Sequence, residues 1–585
     1  MFAKRIVLPR WYIVDGFLKG MVIIKDSNFL ELAPQLRKTL LQSDFVSIDF
    51  EFLGLDTTAI SLHDTAEKRY EILRANVIKY RPCQLGLSFF KQKSNKGYKA
   101  DSYSIPLCQR FGASDTSISV NSLRFLLENN FDLNQVITDG VEFCTRAEIK
   151  KFEEALSKGT ALSYISKDKQ MKVEQLKVML HEKCFRVKAE MITHTTEEPS
   201  QDCRLIINSD KPVSLKMPAG LCSVETYIAI HDITNSFPHL LFSLNEKDKS
   251  LDVTMLPETM TETENKKQTR MRCTESFEGI SAILEAAMMM RKVIVGHNSL
   301  LDAMYMYHYF FSSLPLKYRN FKREFNSLFP KVIDTKILAQ VIRIDLPGVG
   351  DSLERLGDYF GTEKSNKTVP PELRGYIGPW MNPLDDDSEN YYHNAGFDSY
   401  ITGEVFLKLA HTYINRRNGF KNESIEFKRI IQYLEAPIQN RLPFQLMDMG
   451  CCHLAGEDSK GCRPDVITIV RRDLRPIGEE EFKHQEKILS SLMATYQFDI
   501  EWSKDRKELL LATNTPGSYA FLCEKFSKND NLSPLDELEA GKKWTFEQRQ
   551  TSWRSFKDAS MGVVDFMNRR WSRQQVEKME KAILN

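Results

Sequence analysis

Three features that mark particular protein classes are scarce or missing in this sequence of 585 residues. Apolar runs long enough to cross a bilayer are missing, so the sequence predicts no transmembrane helix and no membrane anchor. None of the 11 cysteines forms a Cys-x-x-Cys pair, which argues against a disulfide framework and favours reduced thiols inside the cell. Neither sign of charge is in excess, with 80 basic and 79 acidic residues, so nucleic-acid contacts would need a local basic path.

Two local features resemble a metal site and a targeting signal. One dense group of zinc-type ligands consists of Cys451, Cys452, His453 and Cys462. Adjacent cysteines give poor tetrahedral spacing, so we predict no zinc site there. Residues 1–20 carry four basic side chains and one acidic one. The sequence leaves open whether they are a plain extension, a mitochondrial targeting segment or residues before a true start at Met21.

The most informative segment is 45–52, which reads Phe-Val-Ser-Ile-Asp-Phe-Glu-Phe. Its Val, Ile and Phe content predicts a buried strand, and residues two apart in a strand point to the same face. Asp49 and Glu51 therefore project together from an apolar strand, which is costly unless a cation lies between them. Carboxylate oxygens suit Mg²⁺ or Mn²⁺. The alternative is an edge strand whose acids are solvated.

Two further segments each place an acid at the beginning of an apolar-faced helix. Residues 292–302 predict a short buried strand, a glycine turn and a helix that begins near Asp302. In residues 392–403, His393 precedes Asp398 by five positions at the beginning of another helix. Alternatively, an early-helix Asp complements the helix dipole, and a lone His is a hydrogen-bonded core residue.

Together these five residues resemble the DEDDh class of 3′→5′ exonucleases. The resemblance implies that Asp49, Glu51, Asp302 and Asp398 bind two Mg²⁺ ions, with Mn²⁺ as an alternative, and that His393 is the general base. The chemistry suits these residue types. Hydrolysis of a terminal phosphodiester needs an activated water, a stabilised leaving oxygen and charge neutralisation, which two carboxylate-bound ions supply. A neutral imidazole can accept the proton of the attacking water.

Longer motifs resemble the poly(A)-specific ribonuclease family from residue 21 to about residue 526. They are the segments 49–55, 296–298, 328–336 and 393–398. Segments 83–88 and 314–330 are more similar to the PARN-like domain-containing branch, which includes trimmers of piwi-interacting RNA precursors. Members of that branch often carry a C-terminal membrane anchor, whereas residues 565–585 here are charged throughout.

The resemblance and the composition shifts predict an α/β fold with three parts. An RNase H-like DEDD nuclease domain, with a mixed sheet flanked by helices, is assigned to residues 21–152 and 270–435. A small α+β domain similar to single-strand nucleic-acid-binding domains is inserted at 153–257. A strand–helix–strand–strand–helix order resembles an RRM at 460–530. Residues 1–20 are an N-terminal extension, and residues 531–585 are a charged tail. Residues 258–272 are polar and predict a loop or linker.

Several residues are candidate RNA contacts. By the resemblance, Phe52 and Leu55 follow the paired acids and could seat terminal bases, although core packing is the alternative. Lys336 is a candidate phosphate contact. Trp502 occupies the place of a cap-stacking tryptophan, or is simply a packed aromatic. Tyr227 replaces the arginine of the Arg-x-x-x-His motif that ends at His231, so the inserted domain has either an RNA-binding or a packing role.

These observations favour a metal-dependent 3′→5′ exoribonuclease that trims RNA 3′ ends, with piwi-interacting RNA precursors as the leading substrate. The alternatives are an mRNA deadenylase, a non-catalytic RNA-binding adaptor and a DNA exonuclease. The expected partner is single-stranded RNA with a free 3′-hydroxyl, delivered by a piwi-type protein or an adaptor, and the family also implies a homodimer. We expect a cytoplasmic, perinuclear location, with the nucleus and mitochondrion left open.

Overall fold

The structure is a computed structural model that describes part of the chain. It covers residues 17–18, 21–56, 60–111, 116–192, 213–218, 220–245, 250–343, 345–374, 392–419, 422–435, 438–444, 449–460, 466–471, 475–492, 498–513, 518–519, 521–522 and 544–548. Lying outside the described residues is Cys462.

Strands and helices are interspersed along the described residues. The strands are β1 (Phe17–Leu18), β2 (Met21–Ile23), β3 (Phe45–Phe52), β4 (Pro82–Gln92), β5 (Tyr98–Pro106), β6 (Val213–Lys216), β7 (Leu240–Asn245), β8 (Ser250–Met255), β9 (Val293–Gly296), β10 (Val332–Asp334), β11 (Arg441–Pro443), β12 (Met449–His453), β13 (Ser459–Lys460), β14 (Ile467–Arg471), β15 (Phe498–Trp502), β16 (Glu508–Thr513) and β17 (Trp544–Gln548).

The α-helices are α1 (Phe29–Gln42), α2 (Ala66–Lys79), α3 (Val120–Glu128), α4 (Leu133–Asp139), α5 (Arg146–Lys158), α6 (Lys167–Ile192), α7 (Ser223–Ser236), α8 (Glu262–Glu278), α9 (Ser281–Met289), α10 (Leu300–Phe310), α11 (Tyr318–Leu328), α12 (Thr335–Val341), α13 (Leu353–Gly361), α14 (Ala395–Asn418), α15 (Phe427–Leu434) and α16 (Glu479–Leu492). Short 3-10 helices lie at Ala161–Tyr164, Glu363–Lys367 and Pro371–Leu373.

The main sheet has seven strands in the order β1-β2-β5-β4-β3-β9-β10. Strand β3 lies between β4, to which it is antiparallel, and β9, to which it is parallel. The pairs β9–β10 and β2–β5 are parallel, and β4–β5 is antiparallel. The sheet is therefore mixed, which confirms that part of the predicted fold class.

Helices cover both faces of the main sheet. Helices α1, α2, α9, α10 and α11 share one buried apolar cluster with Val46, Ile48 and Phe50 of β3. Helices α12 to α15 share the opposite cluster with Phe45. Side chains alternate between the two faces of a strand. Asp49 and Glu51 therefore lie on the same face of β3 as Phe45, which is the face covered by α14.

Helix α14 lies unusually close to the sheet, and two glycines make that approach possible. A Cβ at Gly86 of β4 would collide with the carbonyl oxygen of Ala395, the first residue of α14. A Cβ at Gly403, further along α14, would collide with the ring of Phe90. Because neither glycine has a side chain, the first turn of α14 can pack directly against β4. This packing fixes where Asp398 lies relative to β3.

Two smaller units flank the main sheet. The inserted residues form the sheet β6-β8-β7, which packs with α6 and α7. Near the C-terminus, β15, β16, β14 and β17 form a four-stranded antiparallel sheet with α16. The predicted strand–helix–strand–strand order is observed there, and the assignment of this unit as RRM-like stays a prediction.

The structure corrects one prediction and adds a strand to each of two other predicted segments. The loop or linker predicted at 258–272 is mostly helix α8, because Thr261 and Glu264 form a capping box and Asn265, Cys273 and Phe277 bury a narrow face. The predicted N-terminal extension includes β1, which pairs with β2. The predicted charged tail includes β17, which pairs with β14. In the last two cases the strands are short and have charged neighbours, so the sequence shows no clear alternation of apolar and polar side chains.

Candidate metal-dependent active site

Four acids from three elements converge at one end of β3. Asp49 and Glu51 lie in β3, Asp302 lies in the first turn of α10, and Asp398 lies in the first turn of α14. Carboxylate oxygens of Asp49, Glu51 and Asp398 all lie within 4.8 Å of one another. The sequence-predicted acids of β3 and α14 are therefore brought together in space.

Asp302 joins this group through the backbone of β3. The amide of Phe50, between Asp49 and Glu51, donates to Oδ1 of Asp302 at 3.1 Å. Asp302 also contributes to raising the pKa values of Asp49 and Glu51, because its charge is close to both carboxylates. The fourth predicted acid thus lies beside the other three.

The fully buried side chain of Asp334 holds the turn that leads into α10. Its carboxylate accepts from the amides of Asn298 at 3.1 Å and Ser299 at 2.8 Å, and from the Ser299 hydroxyl at 2.8 Å. It also accepts from the Lys336 amide at 2.9 Å and so caps α12. Asp334 lies in the family-like segment 328–336 without a predicted role, although an Asp at the end of a buried strand is a recognisable helix cap.

His393 and Asp398 are linked through the backbone. The amide of His393 donates to Oδ2 of Asp398 at 2.8 Å. His393 has a φ of 70°, which non-glycine residues seldom adopt. This turn leaves His393 exposed, five residues before Asp398 in the chain. Its pKa is lowered by partial burial, against an opposing effect of Glu354, which favours the neutral form that a general base requires.

The acidic group carries excess negative charge that nothing basic in the described residues balances. Within those residues, none of the four carboxylates forms an ion pair with Lys or Arg. Burial raises the pKa of Asp302 and of Asp398 to about 7. Burial, and then the neighbouring acids, raise the pKa values of Asp49 and Glu51 well above their usual range. The site therefore favours either protons or a cation.

The donor set fits divalent cations with hard oxygen ligands. All four candidates are carboxylates, and Oδ1 of Asp398 is buried with no hydrogen-bond partner among the described residues. A buried acceptor without a donor is costly and is relieved by a cation. Asp49, Glu51, Asp302 and Asp398 would hold such ions, which when bound supply an activated water and charge neutralisation at a phosphate.

The raised pKa values predict a pH-dependent response to metal. Burial raises the pKa of Asp302 and of Asp398 from 3.8 to about 7. Their contribution to folding stability is fully present below about pH 4 and is lost as the pH rises towards 7, because the folded protein disfavours the ionised carboxylates. Metal competes with these protons, so the increase in melting temperature caused by Mg²⁺ or Mn²⁺ should be small at pH 5.5 and largest near pH 8. Thermal denaturation with and without chelator measures it. An equal increase at both pH values would contradict the assignment.

The predicted RNA contacts differ in their surroundings. Phe52 is half-buried and stacks on Tyr305 with ring centroids 4.0 Å apart, which fits its packing alternative. Leu55 is 36% exposed and lies three residues beyond the end of β3. Lys336 is half-buried beside His297, whose pKa its charge helps to lower. The RNA-binding roles of all three stay predictions.

Trp502 and two residues of the inserted domain, Tyr227 and His231, all contact other side chains. The Arg506 guanidinium lies 4.2 Å from the centroid of the Trp502 ring, and the Phe482 ring lies 4.7 Å from it. In the inserted domain, His231 is buried and Tyr227 packs against three apolar clusters. Cap and RNA binding at these positions therefore stay predictions, and packing accounts for what is seen.

Two other sequence-based expectations concern cysteine and membranes. Cys451 and Cys452 are both buried. The absence of a zinc site at these cysteines stays a prediction. No helix in the described part of the chain is both long and apolar enough to span a membrane.

Comparison with known proteins gives a family match and named relatives. The family described as CAF1 family ribonuclease matches residues 24–406. The chain is 64% identical to the 3′-5′ exoribonuclease parn-1 of Caenorhabditis elegans, over 96% of this chain and 100% of that protein. It is 24% identical to the poly(A)-specific ribonuclease PARN of Xenopus laevis, over 76% and 71% of the two chains.

A further relative is the pre-piRNA 3′-exonuclease trimmer of Bombyx mori, which is 24% identical over 66% of this chain and 71% of that protein. A solved structure of S. pombe Pop2p in its Mg²⁺- and Mn²⁺-bound form aligns with a TM-score of 0.32 and 14% identity, covering 70% of this chain and 96% of that chain. The chain belongs to the CAF1 family of ribonucleases, and the prediction of a 3′→5′ exoribonuclease is confirmed.

Proposed function

We propose that this protein removes nucleotides from the 3′-hydroxyl end of single-stranded RNA with the help of two Mg²⁺ or Mn²⁺ ions. One observation carries the proposal: the carboxylates of Asp49, Glu51 and Asp398 lie within 4.8 Å of one another, with Asp302 against the same strand. These carboxylates hold the cations, and the neutral imidazole of His393 accepts a proton from water at the scissile phosphate.

We propose small-RNA precursors as the natural substrate. The relation to the trimmer of Bombyx mori supports this choice, and so does the coverage of the Trp502 ring by Arg506 and Phe482. A ring covered in this way offers little surface for stacking on a cap. In this proposal a bound piwi-type protein stops trimming at a defined length, because it covers the remaining nucleotides. The enzyme works in the cytoplasm as a homodimer.

Deadenylation of mRNA is the second candidate, and the relation to PARN of Xenopus laevis supports it to a similar degree. The two functions differ in what they require of the RNA. A dedicated deadenylase degrades adenosine tails and stops at other sequences, whereas a trimmer removes tails of mixed sequence. A 5′ cap should change the rate of shortening only if the Trp502 ring becomes accessible and stacks on the cap.

Matched synthetic RNAs separate the two candidates. The RNAs share a 5′ label and a body, and carry either a mixed-sequence or an adenosine 3′ extension, each with and without a cap. We expect both extensions to be shortened at rates within about tenfold of each other, which corresponds to about 1.4 kcal/mol of discrimination. The cap and Trp502→Ala should have no effect.

Depletion in cells extends the same test. We expect small RNAs to keep short 3′ extensions while bulk poly(A) tails stay unchanged. Digestion confined to adenosine tails in vitro, or longer poly(A) tails with normal small-RNA ends in cells, would reverse the choice in favour of a deadenylase.

A further inference from the structure

Phe125, on α3, is an exposed aromatic residue whose ring contacts that of His393. Its side chain is 44% exposed, although large aromatic side chains usually bury most of their surface. Its ring centroid lies 4.7 Å from that of His393, with the two planes at 71° in an edge arrangement. The residue therefore contacts the imidazole that we assign as the general base.

Within the part of the chain that the structure describes, the backbone of His393 is held in place more firmly than its imidazole. Its backbone is fixed by the left-handed φ of 70° and by the hydrogen bond from its amide to Asp398. Among the residues that the structure describes, however, no hydrogen bond reaches either ring nitrogen. Histidine bases are commonly oriented by a partner on the second nitrogen. In this structure the contact with the Phe125 ring can restrict rotation of the imidazole.

Helix α3 is attached to the segment that follows the catalytic strand, so Phe125 is fixed relative to the acids. The amide of Ser119 donates to the Leu53 carbonyl at 2.9 Å. The amide of Leu55 donates to the Ser122 hydroxyl at 3.2 Å. Leu126, next to Phe125, is buried in a small cluster with Leu53. Any movement of α3 would therefore be coupled to the end of β3.

We propose that Phe125 is a positioning residue: its ring holds the His393 imidazole in the orientation needed to accept a proton from the attacking water. This inference rests on the proposed role of His393 in hydrolysis. Phe125 acts through His393 and makes no direct contribution to metal binding. Because catalysis depends steeply on orientation, loss of this contact lowers the rate of the chemical step without weakening RNA binding.

Single-turnover kinetics on a 5′-labelled RNA, with the full-length protein in excess, test the proposal. Phe125→Ala should lower the maximal rate about 10- to 100-fold, as expected for a misplaced catalytic group, with an unchanged half-saturating enzyme concentration. Phe125→Tyr keeps the ring and should restore a rate close to that of the wild type. The matched control is Leu127→Ala, which removes a 55% exposed side chain from the same helix and should have no effect.

A double-mutant cycle with His393→Asn distinguishes positioning from other roles. If Phe125 acts through His393, Phe125→Ala should cause no further loss once the imidazole is absent. An equal loss in both backgrounds, or a weaker half-saturation, would make Phe125 an RNA contact and overturn the proposal. A wild-type rate for His393→Asn alone would contradict the proposed function instead, so the two failures are distinguishable.

Discussion

Asp398→Asn should abolish RNA hydrolysis and at the same time raise the melting temperature of the metal-free protein. Hydrolysis is lost because the variant removes a carboxylate that holds a cation, and such an ion contributes several kcal/mol to transition-state stabilisation. Each 1.36 kcal/mol is a factor of ten, so the rate should fall about a thousandfold or more. Stability increases because the site buries mutually repelling acids in the metal-free state.

The stability change follows from the direction of the pKa shift. A carboxyl whose pKa is raised to about 7 by burial is destabilising when ionised near pH 8, and a neutral amide removes that cost. We expect an increase of about 2–5 °C in melting temperature, since 1 kcal/mol shifts a domain of this size by about 2–4 °C. The amide oxygen can still accept from the His393 amide, as Oδ2 of Asp398 does.

Asp334→Asn is the matched control, because Asp334 is also a buried acid but has a full set of donors. Its carboxylate accepts from the Asn298, Ser299 and Lys336 amides and from a hydroxyl, and an amide group cannot accept all four bonds. This variant should therefore lower the melting temperature. A decrease for both variants, or hydrolysis retained by Asp398→Asn, would contradict the assignment of Asp398 as a metal ligand.

His393→Asn should lower the rate of hydrolysis by about two to four orders of magnitude, as the loss of a general base usually does. RNA binding and melting temperature should not change. Asn is the appropriate replacement because His393 has a φ of 70°, a conformation that Asn tolerates well and Ala does not. The backbone amide at position 393 can also still donate to Oδ2 of Asp398 in this variant.

His393→Ala serves as the comparison for backbone strain. It should show the same loss of rate together with a lower melting temperature, because Ala is strained at this φ. Binding is measured by fluorescence anisotropy with Ca²⁺ in place of Mg²⁺. If RNA affinity fell in parallel with the rate for both variants, His393 would be a substrate contact and no longer the candidate base.

Much of the site could be predicted because its chemistry follows local periodicity. Asp49 and Glu51 share a face since strand side chains alternate, and β3 is apolar enough to be recognised as buried. Periodicity predicts that Asp302 and Asp398 each lie near the beginning of an apolar-faced helix, and the resemblance to DEDDh exonucleases assigns both to the site. The mixed sheet follows from strands alternating with helices.

The remaining features depend on long-range contacts that local patterns do not encode. Helix α8 was predicted as a loop because its buried face is narrow and partly polar, with Asn265 inside it. Phe125 had no signal, since its contact with His393 joins residues that are far apart in the sequence. The hydrogen bond from the Phe50 amide to Asp302 likewise arises only when α10 packs beside β3. Periodicity predicts elements, but such contacts are set by how the elements pack.

The most direct test of the account is a cleavage assay with the full-length protein on one 5′-labelled single-stranded RNA, prepared with a free or a blocked 3′-hydroxyl. The account predicts a ladder of products shortened one nucleotide at a time, from the free end only. It also predicts that activity is lost in chelator, restored by Mg²⁺ or Mn²⁺, and absent from Asp398→Asn under all conditions. Internal cleavage of the blocked RNA, or unchanged cleavage in excess chelator, would contradict it.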